Sequence, residues 1–396
     1  MRIEDILPVN LFKTRKSFLW SYIGIFGFFY MIVPLFFMGD TVELDISLKL
    51  ALATAISIIG FSIGMLVNFF PNIKKKYIFI NFNNYSWTVF IIYFFIVTLI
   101  ISTAGQIPLI ASLSGASQAD IFILREVFLK DRKGFEAIYS YLITLVDTTF
   151  FPLVIIYSII IKTRYRYLFI LIFALYSISF LEKGYFLKIG IPLFFYYYYK
   201  AKSKKTYLIV SGSFLLTIIL AMFLLSKFDT SDVIRDEPFF SILYTPTTVF
   251  QAIVWRMVAV PVITAYQGFE LFLSTAYNGQ YFMGATSSLL SSIFGLERIN
   301  FERALYQSQF GGSETANANQ FYAVEAFINY GYIGVLMFSY FLGLIVKNMI
   351  NTRNIAIICL IPVLYYNLFS SGLIGNLLSN GFLFFYLFIT NVKIQK

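Results

Sequence analysis

Apolar residues gather into long windows at about 18–38, 48–70, 87–108, 137–161, 206–226, 322–346, 355–371 and 376–392. A helix needs roughly 20 such residues to cross about 30 Å of hydrocarbon, so each window predicts a membrane span. A further stretch, 167–199, is interrupted at its middle by Glu182-Lys183-Gly184. Its arms, 167–181 and 185–199, are fifteen residues each, helices of roughly 22 Å. The pattern predicts a hairpin of two short helices whose tip stops below the far surface, and with it an all-α integral membrane protein of about ten transmembrane helices.

Two segments between windows stand out by length. The first, 109–136, forms one outer loop. The second, 227–321, is too apolar for a disordered linker: Arg256 is the only charge in 239–267, and 280–296 has none. Long loops commonly carry function. This one predicts short interfacial helices, re-entrant segments, or an extra pair of spans that raises the count to twelve. Comparable halves and low-complexity linkers are absent, so residues 1–396 form a single polytopic membrane domain with an elaborated outer loop.

Composition agrees with a lipid solvent. Of 396 residues, 59% are hydrophobic and 13% charged, against about a quarter charged in soluble chains. Basic residues cluster at Arg2/Lys13/Arg15/Lys16, Lys74-Lys75-Lys76, Lys162/Arg164/Arg166, Lys200/Lys202/Lys204/Lys205, Lys347/Arg353 and Lys393/Lys396. With ten spans every cluster, and both termini, fall on the cytoplasmic side, as short-loop Lys and Arg prefer. These segments hold 18 basic and two acidic residues, net +16, while the remainder is net −6. The chain-wide +10 is thus an orientation signal, and nucleic acid is not implied as a partner. The first apolar run lacks a small-residue cleavage site and is long enough to remain as an anchor. Histidine is absent, which removes His-based triads and HExxH zinc sites. The single Cys359 lies in an apolar run, a small core residue with no cysteine to pair with inside the chain.

Chemistry must therefore rest on Arg, Lys, Asp, Glu, Tyr or backbone groups. Asp147, in a span, and Glu182, Lys183 and Lys188, in the hairpin, are ionisable groups at membrane depth. They predict either a cavity of mixed charge or a structural pair of Asp147 with Lys183 or Lys188. A helix over 118–133 would place Arg125, Phe128, Leu129 and Arg132 on one face, which is either a solvated helix or a cationic arm whose guanidinium forks hold phosphate oxygens. Arg256 is isolated among apolar residues and needs a partner, a function, or an escape to lipid phosphate. Glu297, Arg298, Glu302 and Arg303 have the pattern of a solvated face. The polar run 311–320 gives good helix-entry chemistry, and Asn317, Asn319 and Gln320 offer the donors and acceptors that sugar hydroxyls need. Glu325, one turn inside an apolar span, calls for a cationic partner or a cavity.

The segment Asn317-Ala-Asn-Gln-Phe-Tyr-Ala-Val-Glu325-Ala-Phe-Ile-Asn329-Tyr-Gly331-Tyr-Ile-Gly334 resembles the Wzy-type polymerases of bacterial O-antigen and other repeat-unit polysaccharides, a branch of the GT-C-like membrane glycosyltransferases. The shared pattern is a polar entry, a glutamate, then N-x-G-x-x-G. It covers about 20 residues, and the many spans, Arg125-Glu126 and the late outer loop with Arg256 accompany it.

The resemblance implies a metal-independent glycosyltransferase without cofactor, in the bacterial inner membrane. It would join undecaprenyl-diphosphate-linked repeat units at the outer face, with a chain-length regulator protein as a partner. It implies Arg125, Arg132, Arg256 and Arg303 as diphosphate ligands, Lys183, Asn317 and Asn319 as sugar or phosphate contacts, and Glu325 as general base or arginine-positioning group. O-antigen ligases, similar in architecture, carry an outer-loop histidine that this chain lacks. A transporter or flippase of lipid-linked oligosaccharides is the alternative class, favoured by the charges at membrane depth and disfavoured by the absent repeat symmetry.

Overall fold

A computed structural model describes residues 11–39, 42–67, 77–129, 132, 134–181, 184–201, 203–225, 237–311, 317–318 and 320–395. The first helices are α1 (Leu11–Gly27), α2 (Val33–Phe36), α3 (Leu44–Leu66) and α4 (Phe82–Thr103), with a short strand β1 (Ile78–Asn81) leading into α4. Then come α5 (Pro108–Leu113), α6 (Gln118–Leu129), α7 (Glu136–Leu145), α8 (Phe151–Ile161), and the hairpin pair α9 (Arg166–Ser179) and α10 (Gly184–Lys200). Next are α11 (Lys204–Leu225), α12 (Val249–Val254), α13 (Val260–Leu273), α14 (Ser288–Phe294) and α15 (Phe301–Phe310). The last part holds α16 (Tyr322–Asn351), α17 (Ile355–Ile358), α18 (Ile361–Ser370), α19 (Leu373–Leu378), α20 (Phe382–Asn391) and β2 (Val392–Gln395).

Single π-helical turns, Phe28–Ile32, Val146–Phe150 and Trp255–Ala259, join α1 to α2, α7 to α8 and α12 to α13. Among the described residues, six continuous helices are long and apolar enough to cross a membrane: Thr14–Phe36, Leu44–Leu66, Phe82–Thr103, Ile138–Ile161, Phe250–Leu273 and Tyr322–Asn351. Helices satisfy their own backbone, which hydrocarbon cannot do. The chain is a helical membrane protein.

Three expectations are refined. The hairpin at 167–199 forms as two short helices, α9 and α10. The window 376–392 does not make one helix: Gly381, at φ 77°, divides it, and its Cα packs on Leu145, where a Cβ would come within 2.8 Å of that side chain. The fold is also not purely helical. β1 and β2 pair in parallel with Ile78 opposite Val392 and Asn81 opposite Gln395, so the chain end is hydrogen-bonded beside the entry to α4.

The centre of the bundle is the pair α3 and α16. Gly60 and Gly64, four apart, and Gly343 let the two backbones touch: a Cβ on Gly60 would sit 2.6 Å from the Leu336 carbonyl, and one on Gly64 3.0 Å from the Gly343 Cα. Small residues permit such approach in lipid, where the hydrophobic effect offers no drive and close packing must hold the helices together. A buried polar chain crosses the same interface. Tyr322 OH bonds Ser339 Oγ at 2.9 Å and also Tyr22 OH, which lies 3.3 Å from Ser57 Oγ. Around it Tyr22 stacks on Phe61 and Tyr30 on Phe321, both at 3.9 Å between centroids.

One end of the bundle gathers the basic groups. Arg15 donates to Asn351, and Lys347 Nζ donates to the Val67 carbonyl at 2.5 Å, capping α3. Asn354 donates to Tyr157 OH at that end of α8. At the opposite end the Glu43 amide donates to Tyr266 OH at 2.6 Å, tying α13 to the entry of α3.

Candidate functional site

The site at that far end is built on a break in α16. Gly331 has φ 64° and ψ −160°, a conformation open to glycine alone. The break frees the carbonyls of Ile328 and Asn329, which accept from the amides of Phe282 at 3.0 Å and Met283 at 3.1 Å. Asn329, fully buried, completes the joint. Its Oδ1 accepts from the Gly284 amide at 2.9 Å, and its Nδ2 donates to Thr286 Oγ1 at 2.7 Å and to the Glu325 carbonyl at 2.8 Å. Gly331 lies against the Tyr281 ring, and Gly334 against the Ala326 carbonyl. The N-x-G-x-x-G spacing is thus a mechanical joint between α16 and residues 281–286. It isolates 322–330 as a short helix of its own.

Glu325 sits on that short helix, buried. Of the two expected surroundings, a cationic partner or a cavity, the first is not found: among the described residues no Lys or Arg pairs with it. Its Oε2 accepts from the Ile374 amide at 3.4 Å, and the Leu373 amide also donates to the carboxylate. Backbone donors at a helix start can serve a carboxylate as a cation would. Gly372 makes this possible, since a Cβ there would be 2.6 Å from Oε2.

A second carboxylate, Glu302 of α15, faces Glu325 closely enough to repel it. Burial pushes the Glu302 carboxyl up to about 7, and Arg298 opposes that rise. Beside them Gln309 donates to Gln267 Oε1 at 2.7 Å and Thr264 Oγ1 at 3.2 Å. Gln320 is buried, with its Nε2 next to Gly268 and without a hydrogen-bond partner among the described residues. The junction of α13, α15 and the start of α16 is therefore an amide- and carboxylate-lined core, able to hold a proton on Glu302 and to offer hydrogen bonds to hydroxyls.

Of the residues singled out from sequence, Glu325, Asn317 and Arg303 come together here. Asn317 is exposed, and the next residue, Ala318, donates its amide to the Glu302 carbonyl at 3.0 Å. Arg303 is exposed on α15. Lys183 and Asn319 lie outside the described residues. Of the residues read as a solvated face, Glu297, Arg298 and Arg303 are exposed, whereas Glu302 is half-buried and turned toward Glu325. The signal for it was present: Phe301 and Leu305 are the buried stripe of α15, and Glu302 and Gln309 flank that stripe at helical spacing.

A separate corner holds Arg125 and Arg132. Arg132 is buried, and its guanidinium spans three elements: Nε donates to the Phe128 carbonyl at 2.7 Å, Nη2 to the Ile100 carbonyl at 2.8 Å, and Nη1 to Thr103 Oγ1 at 2.5 Å and Glu136 Oε2 at 3.3 Å. It places a cation at the carbonyl ends of α4 and α6, where the helix dipole favours one. It also walls a cavity of about 640 Å³ with Gln106, Leu124, Val127 and Glu136. Arg125 is half-buried on α6 with its Nε enclosed and unbonded among the described residues. Arg256 is not enclosed by its apolar neighbours. It is exposed on the π-helical turn, while the adjacent Trp255 is buried and donates to the Ser241 carbonyl at 3.1 Å. Successive residues of a helix point roughly 100° apart, which separates the two.

At membrane depth the structural pair is the outcome. Asp147, fully buried in its π-helical turn, receives Lys188 Nζ at 3.0 Å and Thr148 Oγ1 at 3.1 Å. No protein-family description, curated protein or solved structure matches the chain.

Proposed function

We propose that this chain is a Wzy-type polymerase of undecaprenyl-diphosphate-linked oligosaccharide repeat units, acting at the outer face of the bacterial inner membrane. The observation that carries the reading is the junction at the end opposite Arg15, Lys347 and Lys393. There the resembling segment brings Glu325 beside Glu302, Gln309, Gln320 and the exposed Asn317 and Arg303. If the basic end is cytoplasmic, this junction opens outside, where lipid-linked repeat units are polymerised. On this reading the fold is GT-C-like with ten spans: five of the long helices, the hairpin helices α9 and α10, α11, and the shorter Ile355–Ser370 and Phe382–Asn391, with Phe250–Leu273 belonging to the large outer segment.

The chemistry follows from the groups present. An acceptor hydroxyl oxygen attacks the anomeric carbon of the donor glycan, the bond from that carbon to the diphosphate oxygen breaks, and the hydroxyl proton passes to a carboxylate. Glu325 is the base, with Glu302 beside it to share the proton. Undecaprenyl diphosphate leaves with its negative charge stabilised by guanidinium groups. Arg256 and Arg303, both exposed, are free to reach a lipid diphosphate. Arg132 is spoken for by four protein hydrogen bonds and serves by holding its cavity open, with Arg125 as the arginine at that corner for phosphate.

Purified protein in vesicles, given a lipid-diphosphate repeat unit, should produce longer lipid-linked chains and free undecaprenyl diphosphate. Arg256→Ala and Glu325→Gln should abolish elongation at normal expression. The buried Asp147–Lys188 pair favours a second reading, a transporter of such lipids. Movement of the substrate between leaflets without chain growth would establish that reading and reject the enzyme.

A further inference from the structure

Residues 271–296 carry no charge at all, from the residue after Glu270 to the one before Glu297. A loop standing in water rarely goes so long without one, since surfaces are about a quarter to a third charged. The segment is also fixed in place. Its start is bonded to the α16 joint through Phe282, Met283, Gly284 and Thr286, and its end returns when the Ile299 amide donates to the Ala285 carbonyl at 3.0 Å. Between these points Ser287 caps α14 through the Leu290 amide, and Gly295, at φ 65°, ends it.

The joint sets the depth. From Gly331 to Asn351 the helix rises roughly 30 Å, the thickness of the hydrocarbon core, and Lys347 marks the basic end of that length. The joint, and the loop bonded to it, therefore lie at the top of the acyl chains in the leaflet opposite the basic end. Just below, Ile333, Met337 and Phe341 form the exposed stripe of α16, spaced four apart, that a bilayer covers. The loop continues that apolar surface. Leu289 and Ile293, one turn apart on α14, are exposed at 48% and 65%, and Phe294 and Met283 at 60% and 57%.

We propose that residues 283–296 form a membrane wedge, with Met283, Leu289, Ile293 and Phe294 embedded among acyl chains of the leaflet opposite the basic end. The hydrocarbon tails are its partner. The surface offers them no charge, and taking the exposed parts of four large apolar side chains out of water favours holding a short helix at the interface.

The test uses the full chain in lipid vesicles. Cys359 is buried and stays unlabelled, so single cysteines at Leu289, Ile293 and Phe294 can each carry a small fluorophore, with Ser308→Cys on exposed α15 as the aqueous reference. Brominated acyl chains should quench the three wedge positions at least threefold more than aqueous iodide does, and the reference should show the reverse order. Iodide quenching of the wedge labels with no effect of brominated lipid would overturn the proposal in favour of a water-facing loop. Protection from both quenchers would also overturn it and assign the face to a protein partner. Three independent positions guard against one variant that fails to fold. The readout needs no substrate, so its failure leaves the polymerase reading untouched.

Discussion

Replacing Asn329 with alanine removes three hydrogen bonds at once. A typical buried bond is worth about 1 kcal/mol net, and an orphaned buried donor costs about 1–3 kcal/mol. The Gly284 amide is such a donor, because its acceptor is the Asn329 side chain. Thr286 is only half-buried and can turn to water, and the Glu325 carbonyl keeps the bonds of its own helix. The expected destabilisation is therefore about 2–4 kcal/mol, mostly from Gly284. Thr286→Val, which removes one bond at the edge of the joint, should lose about 1 kcal/mol. Denaturant unfolding of the detergent-solubilised protein measures both. Amide exchange localises the effect: Gly284 should lose protection, while Phe282 and Met283, bonded to backbone carbonyls, should retain more of theirs. An Asn329→Ala protein within about 0.5 kcal/mol of wild type, with Gly284 still protected, would refute the joint as described.

Four further outcomes follow from the local surroundings of single residues. Gly64→Leu pushes a side chain into the Tyr340 carbonyl and Gly343 Cα and should destabilise by at least 1–3 kcal/mol in thermal melts. Gly24→Ala, with open space at its Cβ position, should be neutral or stabilising through better helix propensity. Arg132→Lys keeps the charge and loses the fork that reaches Ile100, Phe128, Thr103 and Glu136 together, so unfolding should show a loss of about 2–3 kcal/mol, whereas an unchanged midpoint would mean the clamp contributes nothing. Glu302 has a pH signature. Its folded value of about 7 exceeds the ordinary 4.5, so the native state binds the proton more tightly and stability falls as pH rises through the window from 4.5 to 7. Glu302→Gln should flatten that slope, with Arg298 and Glu325 as the neighbouring charges that also enter the titration, and an unchanged profile would show that Glu302 does not titrate there.

The sequence by itself determined the solvent, the helices and the ends. Long apolar windows have no other stable solution in hydrocarbon, where every peptide group must bond within its own helix. The Glu182-Lys183-Gly184 interruption was sufficient to predict the α9–α10 hairpin. What a one-dimensional pattern does not contain is which surfaces meet. Gly331 reads as a helix-tolerated glycine until its φ of 64° shows a joint, and Asn329 reads as a polar span residue until residues 282–286 arrive to take its bonds. Glu325 was expected to need a cation or a cavity, yet two peptide amides from a helix nearly fifty residues later meet the carboxylate, where Gly372 leaves room. Arg256 and Trp255 are adjacent in sequence and opposite in burial, because neighbouring helical residues point roughly 100° apart and only the packing decides which direction meets the core. Burial, register and proximity are properties of pairs of elements, and only the tertiary packing brought Glu302, Gln309 and Glu325 to one place.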